Sequence, residues 1–184
     1  MKDISTKKGD EGMTDLANGH RVCKDALQLE VIGSLDELNA FLGLVRVKLE
    51  NDFEDSYQFL KHIQNGLFVI GAEIAGFSKP KIKQSFLEKI EEKGKILQQE
   101  MEKEWHQKFV LPGGTDIAAN LDLARTVCRR AERKMVALHH QEPLRPLLIK
   151  VINRFSDYLY ILRCYVNFKA SYEEDEFNPQ LLKK

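Results

Sequence analysis

Ala-Arg-Thr-Val-Cys-Arg-Arg-Ala-Glu-Arg, residues 124–133, places four arginines and a glutamate in ten residues that otherwise read as a core helix. Extended outward, the apolar positions are Leu121, Ala124, Cys128, Ala131, Met135 and Leu138. Their spacing alternates three and four, which buries one stripe of a helix. At about 100° per residue, Arg125, Arg129 and Glu132 form a second stripe beside the buried one. Arg133 lies next to it, and Arg130 points further round. Charges at the border of a core need partners, because desolvating an unpaired charge is costly. A salt-bridged, solvated face is one reading of this row; an anion site is the other.

The same period runs through the rest of the chain. Leu35, Leu38, Leu42, Val45 and Leu49 predict a first helix, starting near residue 26 and broken at Asn51-Asp52. Phe59, Ile63, Leu67, Ile70 and Ile74 predict a second over 54–77, ended by Lys79-Pro80. A more polar third helix, over 82–107, carries Phe86, Ile90, Leu97 and Met101. Pro112 and the paired glycines interrupt Phe-Val-Leu-Pro-Gly-Gly at 109–114, after which Thr115 or Asp116 caps the arginine helix. The last helix runs from Pro146 to Phe168 on Leu148, Ile152, Phe155, Leu159, Leu162 and Val166. The expected fold is therefore all-α: a five-helix up-and-down bundle without strand candidates. It forms one domain over 1–184, with a loop-rich arm at 1–25, the bundle at 26–168 and a tail at 169–184 expected to fray.

Composition narrows the function. Lys plus Arg and Asp plus Glu are 28 each in 184 residues, so no global field favours nucleic acid or an anionic membrane. Any anion site must be local. No apolar run is long enough to span a membrane, and Met-Lys-Asp opens no signal pattern, so a cytoplasmic protein is expected. Cys23, Cys128 and Cys164 form no Cys-x-x-Cys pair and read as reduced thiols. A ferritin-like di-metal centre needs Glu-x-x-His on two helices, and that motif does not occur. No protein-built metal site is expected.

Polar residues recur in three further places. The arm segment Ser-Thr-Lys-Lys-Gly-Asp-Glu-Gly-Met-Thr-Asp-Leu (5–16) has the glycines and lysines that can wrap a phosphate, without Walker spacing. Asp36, Asn39, Ala40 and Gly43 border the leucine seam of the first helix, suited to close packing or to a ligand. Asn153, Asp157 and Tyr160 share a face of the last helix. Rows of this kind on several helices imply a common polar surface, at a groove or a subunit interface. An arginine cluster with a Gly/Lys loop suits a polyphosphate, because the guanidinium fork matches phosphate oxygens.

Five blocks in this order resemble the PduO-type ATP:cob(I)alamin adenosyltransferases. They are 6–16 with Gly-His-Arg-Val-x-Lys (19–24), Gly-Ser-Leu-Asp-Glu-Leu-Asn (33–39), 109–114, 124–133 and Asn-Arg-Phe-Ser-Asp-Tyr-Leu (153–159). The resemblance implies transfer of the 5′-deoxyadenosyl group of ATP to the cobalt of reduced cobalamin, releasing triphosphate. It implies a homotrimer with active sites between subunits and Mg²⁺ carried on the ATP phosphates. By motif position the ATP contacts fall on Thr6, Lys7, Lys8, Gly9, Thr14, Asp15, Lys24, Arg129, Arg130, Glu132, Arg133 and Asn153. Arg129, Asn153 and Phe109 match the catalytic positions, and Phe109 also the aromatic under the corrin ring. Asp36 and Arg125 match a salt bridge across the subunit boundary. A flavin reductase and an adenosylcobalamin-dependent enzyme are the implied partners. Lys8 stands where threonine is usual, Asp15 where serine is common, Asp122 where histidine is frequent and Phe155 where leucine is; Met13 is also unusual. The competing reading is a non-catalytic adenosylcobalamin or ATP carrier or sensor on the same fold.

Overall fold

The protein is described by a computed structural model covering residues 7, 9–50, 52–101, 105 and 109–183. Five helices carry the fold: α1 Leu27–Leu49, α2 Glu54–Ile74, α3 Gln84–Glu100, α4 Asp116–Gln141 and α5 Pro146–Lys169. Every apolar residue predicted for α1, α2, α4 and α5 is buried. Burying one such leucine or isoleucine contributes about 1.5–3 kcal/mol, so the stripes of these four helices explain why the bundle closes. On α3 Ile90 and Leu97 are buried as expected, as is Met101 just beyond it, and one position differs. Leu87 takes the buried place expected for Phe86, whose ring instead packs against Gly66 on α2, partly exposed.

The helices neighbour one another in the order α2–α1–α4–α5–α3. Three ion pairs fix the antiparallel register of α1 and α4: Glu30 with Lys134, Glu37 with Arg130, and Lys48 with Asp116. Thr115 is the N-cap of α4, its side chain accepting from the Ala118 N–H at 3.2 Å. Pro146 opens α5 at a position where its missing N–H costs nothing. The third helix ends at Glu100, short of residue 107, with Met101 already extended.

Two expectations need correction. The arm contains strands: β1 Met13–Asp15 pairs antiparallel with β2 Arg21–Cys23. Three-residue strands are too short to produce a readable alternation. Buried Leu16 anchors the turn between them, its N–H donating to the His20 carbonyl at 2.8 Å. The tail does not fray either. Glu176 forms a β-bridge with Val110, and a 3₁₀ turn follows at Pro179–Lys183.

Candidate active site

The arginine row lies where α4 meets α5. Arg125 and Arg129 line a cleft of about 340 Å³ with Gln98, Trp105, Ser156, Asp157, Tyr160 and Ile161. The Arg125 guanidinium sits 5.9 Å from the Tyr160 ring centroid and pairs with Asp122 at 3.3 Å. Arg129, one turn on, is exposed, and no described carboxylate pairs with it. Its fork is therefore free for an anion. The Cys128 thiol reaches the Ile152 carbonyl at 3.5 Å, which sets Arg129 and Asn153 at the same level of the bundle. Glu132 is half-buried and Arg133 exposed, further toward the end of the bundle that carries the arm.

Arg130 is not with them. It points to α1 and pairs with Glu37, as the helix wheel separated it. Asp36 lies elsewhere again, in a groove of about 390 Å³ between α1 and α2 lined by Asn39, Leu67, Phe68 and Gly71. Asp36 and Arg125 thus open on different helix pairs and form no bridge within the chain. In the same α1–α2 groove, the side-chain oxygen of buried Asn39 finds no hydrogen-bond donor among the described residues.

The arm packs at the α1–α2 end, where Gln28 of α1 donates to the Ile74 carbonyl of α2 at 2.5 Å: the Asn18 side chain rests on Gly76, just past α2. Lys24 lies along Gly9, its Nζ occupying the space that a Cβ there would need. Lys7 adopts a left-handed backbone, φ 56°. Thr14 and Asp15 belong to β1; Asp15 is neutralised by Arg21 across the ribbon, 3.4 Å away. Thr6 and Lys8 lie outside the described residues.

Phe109 is 87% exposed at the far end of the bundle, on the segment joining α3 to α4. What holds that segment carries no sequence motif. Arg163, 1% exposed, donates from Nε to Asp122 at 3.1 Å, from Nη2 to the carbonyls of Leu111 and Gly113 at 3.0 and 3.1 Å, and from Nη1 to Glu174. Burial works against its charge, yet Glu174 and Asp122 overcome that and hold its pKa above the ordinary arginine value. Asn167, fully buried, accepts from the Thr115 N–H and hydroxyl and donates to Glu174. An arginine directly after Leu162 on an otherwise apolar face was the available signal.

Among the described residues no group of three or more His, Cys, Asp or Glu could hold a metal ion. Burial raises the Cys128 and Cys164 thiols, so both stay protonated and neither is an activated nucleophile. Among the described residues no helix is long and apolar enough to cross a membrane. The site offers position and positive charge to an anionic substrate.

A family model described as cobalamin adenosyltransferase matches residues 4–166. A corrinoid adenosyltransferase of Bacillus subtilis is 37% identical over 182 residues, 95% of this chain and 91% of that protein. The chain belongs to the cobalamin adenosyltransferase family. The corrinoid adenosyltransferase PduO of Salmonella typhimurium is 39% identical over 163 residues, 86% of this chain but 48% of that longer protein. Among solved structures, a phenylalanine-to-histidine variant of a PduO-type ATP:corrinoid adenosyltransferase from Lactobacillus reuteri, complexed with cobalamin and ATP, superposes with a TM-score of 0.88. It is 30% identical, with 96% of this chain and 97% of that one covered. An arginine-to-lysine variant of the same enzyme, complexed with ATP, gives 0.87. For this cobalamin adenosyltransferase family member the five-helix fold is thus established together with its relatives.

Proposed function

We propose that the protein is an ATP:corrinoid adenosyltransferase, and that its active site is completed between copies of a homotrimer. The observation that carries this reading is the exposed Arg129 fork, which no described carboxylate pairs, level with Asn153 and on a different helix pair from the α1–α2 end where the chain's own arm packs. One chain holds two half-sites on different helix pairs. A neighbour docking its α1–α2 groove and arm against the α4–α5 cleft would join them. It would bring its Asp36 to Arg125. Head-to-tail contacts of that kind close into rings.

Cobalt(I) is a strong nucleophile. Its electron pair forms the bond to C5′ of the ATP ribose while the C5′–O bond breaks, its pair leaving with triphosphate. Such chemistry needs no general base; the protein supplies orientation and stabilises the leaving charge. We assign that stabilisation to Arg129, Arg133, Lys24 and Lys7, with Thr6, Lys8, Gly9 and Thr14 wrapping the phosphates and Asn153 and Glu132 fixing the nucleotide. Asp15 stands beside the phosphates without repelling them because Arg21 offsets its charge. Arg130 would meet the nucleotide only on the α1 side of α4, by opening its pair with Glu37. Mg²⁺ is expected as part of the nucleotide, since the described residues offer no cluster to hold it. Phe109 is the apolar cover that keeps a lower ligand off cobalt, which eases reduction from cobalt(II). Free thiols fit a reducing cytoplasm, where a flavin reductase and an adenosylcobalamin-dependent enzyme are the expected partners.

The test mixes protein, MgATP and chemically reduced cobalamin and follows the visible absorbance as the cobalt–carbon bond forms. Product with one equivalent of triphosphate supports the enzyme. Tight binding of both substrates without product would replace it by the carrier or sensor reading.

A further inference from the structure

The Phe109 segment is built like a hinge plate fixed from behind. The bridge between Val110 and Glu176 is flanked by two hydrogen bonds, Phe177 N–H to the Phe109 carbonyl and Leu111 N–H to the Asp175 carbonyl, both 2.8 Å. The tail is therefore the strand partner of Phe109. Beneath this short ribbon the Arg163 guanidinium spends all three nitrogens. It binds Asp122 on α4, Glu174 at the start of the ribbon and two carbonyls of the Phe109 turn. Glu174 also accepts from Asn167 Nδ2 at 2.9 Å, and Asp122 accepts from the Gly113 N–H at 3.1 Å. The backbone leaves little room beneath: Gly114 has φ +106°, and a Cβ there would fall 2.1 Å from the Asn167 amide. Only glycine fits that close approach.

We infer that Arg163, acting through Asp122 and Glu174, is the positioning residue for Phe109, and that the tail segment 174–177 is a working part of the corrin site. This rests on the reading of Phe109 as the lower-face cover. Phe109 itself is exposed and makes its own position cheap to lose, so its aim depends on backbone held from below. A planar fork can satisfy two carboxylates and two carbonyls at once, which an ammonium cannot. Arg163 touches neither substrate; it acts on the aromatic. Asp122 also pairs with Arg125, so the residue assigned to the subunit clasp and the one aiming Phe109 share one carboxylate.

The experiment uses the full chain with MgATP and cob(II)alamin. Electron paramagnetic resonance reads the fraction of cobalt without a lower ligand, and turnover is measured from cob(II)alamin and from supplied cob(I)alamin. Wild type is compared with Phe109→Ala, Arg163→Lys, Glu174→Ala and Glu174→Gln, each checked for helix content. Arg163→Lys and Glu174→Ala are expected to lower the four-coordinate fraction about tenfold, the scale of one lost charge-assisted hydrogen bond. Both should depress turnover from cob(II)alamin more than from cob(I)alamin, and Glu174→Gln, which keeps an acceptor oxygen, should recover part of the signal. Folded Arg163→Lys and Glu174→Ala proteins with wild-type cobalt ligation, alongside a Phe109→Ala protein that has lost it, would overturn the positioning role alone. A Phe109→Ala protein with the wild-type signal would remove the lower-face reading and this inference with it.

Discussion

Arg163 on α5 and Asp122 on α4 form an ion pair of 3.1 Å, with both side chains at least nine-tenths buried. Pairs of this kind need their remaining donors and acceptors filled to offset desolvation. Here the Leu111 and Gly113 carbonyls, the Gly113 N–H, Glu174 and Arg125 fill them. The pair fastens α4 to α5 at the end where the Phe109 segment crosses.

Replacing one member strands the other. Arg163→Met is expected to destabilise the fold by about 3–5 kcal/mol, reduced toward the lower figure because Arg125 still faces Asp122. Urea denaturation measures it; a change below about 1 kcal/mol would mean that the network is not formed in solution.

Arg129→Ala should reduce turnover about 10²–10³-fold while leaving helix content and melting temperature near wild type, since Arg129 is exposed and pairs with no described carboxylate. Turnover within about threefold of wild type would remove Arg129 from the triphosphate site.

Phe109→Ala should slow adenosylation from cobalt(II) far more than from supplied cobalt(I), because the aromatic acts on ligation rather than on transfer. The two routes are compared by product formation in parallel assays, and equal losses would contradict the assignment.

Asp36→Arg should weaken assembly and activity together, and combining it with Arg125→Asp should restore part of both. Arg125 retains Asp122 when alone, so the expected effect is about 1–3 kcal/mol at the interface rather than that of a stranded buried charge. Sedimentation against concentration reads the association; additive losses in the double variant would show that the two residues do not meet.

The Glu100 pair is a local source of pH dependence. Lys169, then Tyr165, hydrogen-bonds Glu100 and lowers its pKa below the ordinary 4.5. A lowered carboxyl stabilises the fold above its unfolded value and loses that contribution as pH falls through the folded value. Lys169 is raised, mainly by Glu100, so its share persists until pH rises through its own higher value. The melting difference between wild type and Glu100→Gln should hold from about pH 6 to 9 and shrink below about pH 4.5. A difference that stays constant into acid would exclude the pair as its origin.

How much of this was legible depends on what each residue needed. The five helices were, because Leu121, Ala124, Cys128 and their counterparts repeat at a period that only a helix buries, and composition required any anion site to be local. The wheel also separated Arg130 from Arg129 correctly, since angular position on a helix is a local property. The family blocks named Arg129, Asn153 and Phe109. Sequence could not show that the tail pairs with Phe109, that Arg163 sits beneath it, or that Asp122 serves two arginines. Those are contacts between residues tens of positions apart, in segments with no periodicity of their own. Nor could it show that Asp36 and Arg125 open on different helix pairs. That follows from the order α2–α1–α4–α5–α3. Helix formation is decided within a few turns of chain, whereas the pairing of buried charges is decided by which helices become neighbours, and only the packed bundle settles that.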